Sequence, residues 1–252
     1  MATVTTMLSL PVPDGSAEAA LSAPDDAAAY PGVLLLMDAL GLRPRLIEIA
    51  ETIASWGYVV LAPNAFYRNG SAQDVRPGHD LDSEERRRAF FAHAMPRIAA
   101  LTPPLAHADL AAYLTALTAQ SRVGTPVGVV GYCMGARLAM RAAAARPDLV
   151  AACAGFHGGR LATDDYESPH LVLPQARAEF LFGHADQDAS MTSAQIARLD
   201  EALADAGLVA TTAVYPGAHH GYTMSDTAAY DELATERHYA ELRELLARTL
   251  RP

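Results

Sequence analysis

The sequence contains only two cysteines, Cys133 and Cys153, and no lysine, so that all 19 basic side chains are arginines. Two cysteines are too few for a disulfide framework, and this scarcity favours a reducing compartment. No segment has the length and uniform apolarity of a membrane span. Residues 1–16 also lack the basic stretch followed by an apolar run that marks a secretion signal. We therefore expect a cytoplasmic protein without a membrane partner.

Charge and composition narrow the protein class further. The formal net charge of -10 disfavours contact with phosphate backbones, so we expect no nucleic-acid partner. Of the 252 residues, 51% are hydrophobic and 19% are charged, which is typical of a globular chain with a sizeable core. This length suits one α/β domain, and we expect a single domain over residues 1–252.

Short apolar runs alternate with segments of helical periodicity along most of the chain. The leading segment 3–8 and the turn at 13–15 predict an edge hairpin. The predicted strands that follow are 33–37, 58–62, 126–131, 149–154, 178–182 and 210–215, and the predicted helices are 43–56, 83–101, 105–120, 134–145, 193–206 and 230–251. This alternation predicts an α/β fold with a mostly parallel sheet covered by helices on both faces. Sites in such folds form at the carboxyl ends of the strands.

One such strand end carries the motif Gly131-Tyr132-Cys133-Met134-Gly135, between an apolar run and a predicted helix. A sharp strand-to-helix turn strains its central residue, and glycines two positions on either side give that residue room. The turn raises the thiol beside a helix N-terminus, which favours a thiolate, and the N–H of Met134 supplies half of an oxyanion hole. The alternative is that Cys133 is a small buried residue in a tight turn. Cys153 lies inside an apolar run and is expected to be a core thiol.

Two later loops offer an acid and a base in the order nucleophile, acid, histidine that α/β-hydrolases use. Asp186 and Asp188 both follow the predicted strand 178–182, and either can orient an imidazole or cap the next helix. His219 and His220 follow the next strand, and only one of the pair can face the site; we favour His220.

Taken together, these residues make the chain resemble the dienelactone hydrolase family over about residues 31–250. The motifs that carry the resemblance are 37–41, 57–63, 131–135, 183–186 and 220–222. The family pattern places a glycine three residues before its acid and a histidine before a glycine and an aromatic residue. This pattern selects Asp186 and His220 as partners of Cys133. The resemblance also implies the α/β-hydrolase fold.

The resemblance assigns further roles near the nucleophile. Asp38 matches a family glutamate that holds the thiol proton when substrate is absent. The N–H of Ala39 is expected to complete the oxyanion hole with Met134. The chain departs from the family at Met224, where the dienelactone enzymes have an arginine that holds the substrate carboxylate.

Other side chains are expected near the pocket. Arg160 and the run Arg86–Arg88 are the available cations, and a helical arginine run is usually solvated. The candidates for the pocket lining are His157, Arg160, Tyr67, Tyr222 and Met224. Bracing of loops by hydrogen bonds is the alternative role for His157 and Arg160.

These assignments predict a hydrolase that cleaves a small lactone or carboxylic ester through an acyl-thioester on Cys133. A thioesterase or acyltransferase on the same triad, or a non-catalytic protein that binds a small ligand, are the alternatives. The histidines lack metal-ligand spacing, and we expect neither a metal nor another cofactor. The sequence leaves monomer and homodimer open.

Overall fold

The computed structural model describes residues 1–79 and 81–250 and places eight strands in one sheet. The strands are β1 (Thr3–Val12), β2 (Gly15–Pro24), β3 (Tyr30–Leu36), β4 (Val59–Pro63), β5 (Val123–Tyr132), β6 (Val150–Phe156), β7 (Glu179–Gln187) and β8 (Ala210–His219). Their order across the sheet is β1-β2-β4-β3-β5-β6-β7-β8. β1 and β2 form the expected hairpin, β2 pairs antiparallel with β4, and every other pairing is parallel. The prediction of a mostly parallel sheet is therefore confirmed.

Helices cover both faces of this sheet. They are α1 (Pro44–Ser55), α2 (Ala72–Val75), α3 (Glu84–Ala100), α4 (Pro103–Thr118), α5 (Met134–Ala145), α6 (Ser193–Asp205) and α7 (Glu232–Leu250), with 3₁₀ turns at Tyr67–Asn69 and Pro169–Gln175. The ring of Trp56, directly after α1, lies 5.8 Å from that of Tyr239 in α7, so these two helices share one face. α4 and α5 pack against each other on the opposite face.

The central strands are apolar over most of their length because these parts are buried on both sides. Val33 to Leu36 in β3 and all of β4 are buried, as is most of β5, β6 and β7. The carboxyl ends of β3, β5, β6, β7 and β8 consequently meet at one edge of the sheet, where loops are free to carry polar side chains.

The sequence prediction ends two of the strands too early. The strand predicted over 178–182 continues to Gln187, and the one predicted over 210–215 continues to His219. The two strands pair with each other, and a register shift after Ala185 brings Gln187 opposite His219. This long-range pairing extends both strands into segments whose polar sequence resembles a loop.

Among the described residues, none of the helices combines the length and the apolarity needed to cross a lipid bilayer.

Candidate active site

The strand-to-helix turn at Cys133 is confirmed by the backbone. Cys133 has φ 53° and ψ -115°, a positive φ that side chains disfavour. A β-carbon added at Gly131 would lie 2.0 Å from the carbonyl oxygen of Gly135, and one at Gly135 would lie 2.2 Å from that of Leu36. Only glycine therefore lets α5 begin this close to β5 and β3. The turn leaves the thiol of Cys133 at the N-terminus of α5.

His220 connects the sulfur to a carboxylate. Its Nε2 lies 3.0 Å from Sγ of Cys133, and its Nδ1 lies 2.6 Å from Oδ2 of Asp188. Ser190 donates its N–H and its hydroxyl to Oδ1 of Asp188 at 2.8 and 2.6 Å, which fixes the carboxylate. His219 is exposed at the end of β8, so His220 is the member of the histidine pair that reaches the sulfur.

The expectation that Asp186 orients the histidine is not met, because Asp188 occupies that position. Asp186 belongs to β7, and its exposed side chain accepts hydrogen bonds from the N–H of Gly217 at 3.0 Å and from Gln187 at 3.3 Å. The chain leaves β7 after Gln187, and Asp188 is the first residue free to turn inward. Its side chain is 3% exposed.

Charge coupling changes the protonation of these groups. Burial raises the pKa of Cys133, but the His220 charge and hydrogen bond outweigh this, so the pKa lies below its ordinary value. Burial lowers the pKa of His220, but the thiolate and Asp188 together raise it to about 10. Cys153 has no such partner, and burial raises its pKa. The geometry therefore favours a thiolate paired with an imidazolium.

Asp38 lines a cavity together with Cys133 and His220, and Arg43 binds both of its carboxylate oxygens. Arg43 donates from Nη1 to Oδ1 at 2.7 Å and from Nη2 to Oδ2 at 3.0 Å, while the N–H of Leu40 also donates to Oδ1 at 3.0 Å. Arg43 binds Asp226 on its other side, with Nε 2.5 Å from Oδ2. The side chains of Arg43 and Asp38 are 3% and 6% exposed. Both carboxylate oxygens of Asp38 therefore accept hydrogen bonds from groups other than the thiol.

The two residues expected to supply the oxyanion donors, Met134 and Ala39, line the same cavity as Cys133. Met134 is the first residue of α5, where backbone N–H groups have no partner within the helix. Ala39 follows β3 and lines the same cavity as Met134 and Cys133.

A cavity of about 780 Å³ opens above the sulfur. His157, Arg160 and Met224 line it, as expected. His157 is buried, and its Nε2 lies 2.8 Å from the hydroxyl of Thr223, so it also braces a loop. Much of the remaining wall is apolar and comes from α3, α5 and nearby loops: Phe91, Met95, Ile98, Leu101, Leu138 and Met224.

Two residues predicted to line the pocket do not do so. Tyr222 is fully buried in the core, where its hydroxyl donates to the carbonyl of Gly183 at 3.1 Å. Tyr67 instead donates its hydroxyl to Asp109 of α4 at 2.9 Å. Both rings are held by partners outside the cavity.

Comparison with known proteins identifies the family. The family model described as "Dienelactone hydrolase family" matches residues 17–250. The chain belongs to the dienelactone hydrolase family. A "Putative carboxymethylenebutenolidase" of Methylorubrum extorquens is 25% identical over 226 residues, covering 88% of this chain and 73% of the relative. A carboxymethylenebutenolidase of Pseudomonas sp. (strain P51) is 30% identical over 128 residues, covering 51% of this chain and 50% of the relative.

A crystal structure of a "Putative Dienelactone Hydrolase" from Klebsiella pneumoniae shares the fold. Its TM-score is 0.84 at 20% identity, with 98% of this chain and 100% of that chain covered. The α/β-hydrolase fold of this dienelactone hydrolase family member is thus confirmed, and the membership makes it a hydrolase of that family.

Within this family member, sequence reasoning missed Arg43 and Arg137. Nothing in the sequence marks Arg43, because its partners Asp38 and Asp226 meet only in the folded chain. Arg137 did carry a signal, because it lies in the first turn of the helix predicted directly after the expected nucleophile Cys133. In residues 1–79 and 81–250, no group of three His, Cys, Asp or Glu side chains is arranged to hold a metal.

The first prediction concerns the close contact at Gly135. Gly→Ala inside a helix normally stabilises by about 1 kcal/mol. Here the added carbon meets the carbonyl of Leu36, and we expect Gly135→Ala to destabilise the fold by about 3 kcal/mol. Urea unfolding measures the change. Gly78→Ala is the control, because nothing lies within 4 Å of a β-carbon there; equal effects of the two substitutions would contradict the contact.

The second prediction separates the two aspartates. Asp188→Asn removes the charge facing His220 and should lower the pKa of that imidazole by about one unit or more, read from the NMR titration of its ring protons. Asp186→Asn is the matched control and should leave the titration unchanged. If only Asp186→Asn shifted the titration of His220, Asp186 would be the orienting acid, as predicted from the sequence.

Proposed function

We propose that this protein hydrolyses small carboxylic esters or lactones with Cys133 as nucleophile, His220 as acid and base, and Asp188 as the orienting carboxylate. The observation that carries the proposal is the continuous chain of contacts, 3.0 Å from sulfur to imidazole and 2.6 Å from imidazole to carboxylate, beneath an open cavity. The name carboxymethylenebutenolidase, which relatives carry, points to a lactone among the substrates.

The first half-reaction forms an acyl-thioester. The thiolate of Cys133 attacks the carbonyl carbon, and the carbonyl oxygen becomes an oxyanion facing the N–H groups of Met134 and Ala39. The tetrahedral adduct collapses as the bond to the leaving oxygen breaks, and Nε2 of His220 gives its proton to that oxygen. In a lactone the leaving oxygen stays attached to the acyl group through the opened ring.

The second half-reaction regenerates the thiolate. Neutral His220 takes a proton from water, the hydroxide attacks the thioester carbonyl, and the carbon–sulfur bond breaks. Asp188 stabilises the imidazolium that forms and holds Nδ1–H in place throughout. Breakage of the carbon–sulfur bond returns the enzyme to a thiolate and an imidazolium. The carboxylic acid product then loses its proton to solvent.

The third prediction tests the nucleophile. Cys133→Ala should lower turnover of p-nitrophenyl acetate by about three orders of magnitude or more, because no acyl-enzyme can form. Cys153→Ala, which changes the other thiol in the core, should retain most activity. Mass spectrometry of the quenched wild-type protein should find one acyl group on Cys133. Turnover by Cys133→Ala at the wild-type level would rule out this mechanism.

The fourth prediction is the pH profile of kcat/KM. Activity should fall at low pH, as protonation of Cys133 removes the thiolate, with a midpoint below that of an ordinary thiol. It should fall again near pH 10, where His220 loses the proton destined for the leaving group. If kcat/KM rose with pH only from the pKa of an ordinary thiol, the result would contradict the ion pair between Cys133 and His220.

A further inference from the structure

Arg137 is a cation beside the nucleophile that the mechanism above does not use. It lies in the first turn of α5, which begins directly after Cys133, and both residues line the cavity. In the described ranges 1–79 and 81–250, Arg137 has no carboxylate partner. Arg43 and Arg68, by contrast, each bind two carboxylates. Arg137 is half-buried, so water screens its charge only in part, and this charge lowers the pKa of Cys133.

The carboxylate that the family resemblance assigns to the thiol proton is already engaged. Both oxygens of Asp38 accept N–H groups of Arg43, and Oδ1 accepts the N–H of Leu40 as well. A proton moving from Cys133 to either oxygen would neutralise the carboxylate that pairs with the buried Arg43 guanidinium, which is costly. Nε2 of His220 lies 3.0 Å from Sγ and can take the thiol proton without neutralising a carboxylate that binds an arginine.

The charges around the sulfur act in both directions, because His220 and Arg137 lower the pKa of Cys133 whereas Asp38 raises it. Asp188, from the loop after β7, is paired with His220, from the loop after β8, and Asp38, after β3, is paired with Arg43. His157, after β6, is held neutral because burial lowers its pKa. Among the described residues that line the cavity, Arg87, Arg137, Arg141 and Arg160 form no ion pair, and neither do the exposed Asp165 and Glu167. Of these, Arg137 lies in the first turn of α5, whose dipole has its positive end at Cys133.

We propose that Cys133 rests as a thiolate in the substrate-free protein, held by the His220 imidazolium and by Arg137 as a second cation, while Asp38 serves to position the loop that contains Ala39. The thiol proton passes from Sγ to Nε2, and no substrate is needed to trigger the transfer. This inference rests on the proposed function only in taking Cys133 as the nucleophile. Arg137 is thus a positioning residue that acts through the thiolate.

The experiment reads the thiolate directly and requires no turnover. The ultraviolet absorbance of the thiolate is titrated with pH as the difference between the substrate-free protein and its Cys133→Ala variant. We expect the wild-type midpoint to lie below that of an ordinary thiol, and we expect Arg137→Gln to raise it by about one unit. Arg137→Lys should restore most of the difference, since it keeps the charge.

Arg198→Gln is the matched control, because Arg198 is an exposed arginine paired with Asp164 at 2.7 Å. It should leave the midpoint unchanged. The pH dependence of iodoacetamide alkylation on wild-type protein gives a second reading that is independent of how the variants fold.

A wild-type midpoint at the ordinary thiol value, or an Arg137→Gln midpoint equal to wild type, would overturn the inference. Either result is compatible with loss of turnover in Cys133→Ala, so the proposed function would survive it. Conversely, turnover that survives in Cys133→Ala would remove the proposed function whatever the titration shows.

Discussion

The close approach of α5 to strands β3 and β5 is the constraint on which the rest of the site depends. Gly135 lies against the carbonyl of Leu36, and Gly131 lies against Gly135, so neither position has room for a side chain. The chain between them must turn within one residue, which explains the positive φ of Cys133. The same contact brings the loop after β3 beside the first N–H groups of α5. One packing contact therefore places the sulfur, the helix dipole and the Ala39 loop together.

Around the sulfur, each buried carboxylate is matched with a specific cation. Asp188 pairs with His220, and Asp38 pairs with Arg43. Burying a carboxylate without such a partner would cost several kcal/mol and would oppose a thiolate nearby. These pairings offset the negative charge of the two aspartates only in part, because Asp38 still raises the pKa of Cys133. The charge of His220 outweighs this effect, and the pKa of the thiol lies below its ordinary value.

The sequence alone predicts those features of the fold and the site that local patterns determine. The buried strands, the alternation with helices and the glycines flanking Cys133 all follow from short-range rules and from the family pattern. The identity of the acid does not, because the end of β7 depends on its pairing with β8, which holds Asp186 in the strand. Tyr222 shows the same limit: its hydroxyl fills the space beside Gly183, where a β-carbon would lie only 2.7 Å away. Such contacts join residues far apart in the chain, and no pattern near either residue signals them.

The loop that follows His220 shows how this chain departs from the family pattern without losing order. Met224 is buried in the cavity wall and brings no charge to it. The loop is nevertheless fixed on both sides of that residue, because Thr223 contacts His157 at 2.8 Å and Asp226 binds Arg43. Since Arg43 also binds the carboxylate beside Ala39, one guanidinium couples this loop to the expected oxyanion hole. A methionine at this position therefore changes what the cavity can recognise, while the framework that holds the imidazole depends on other groups.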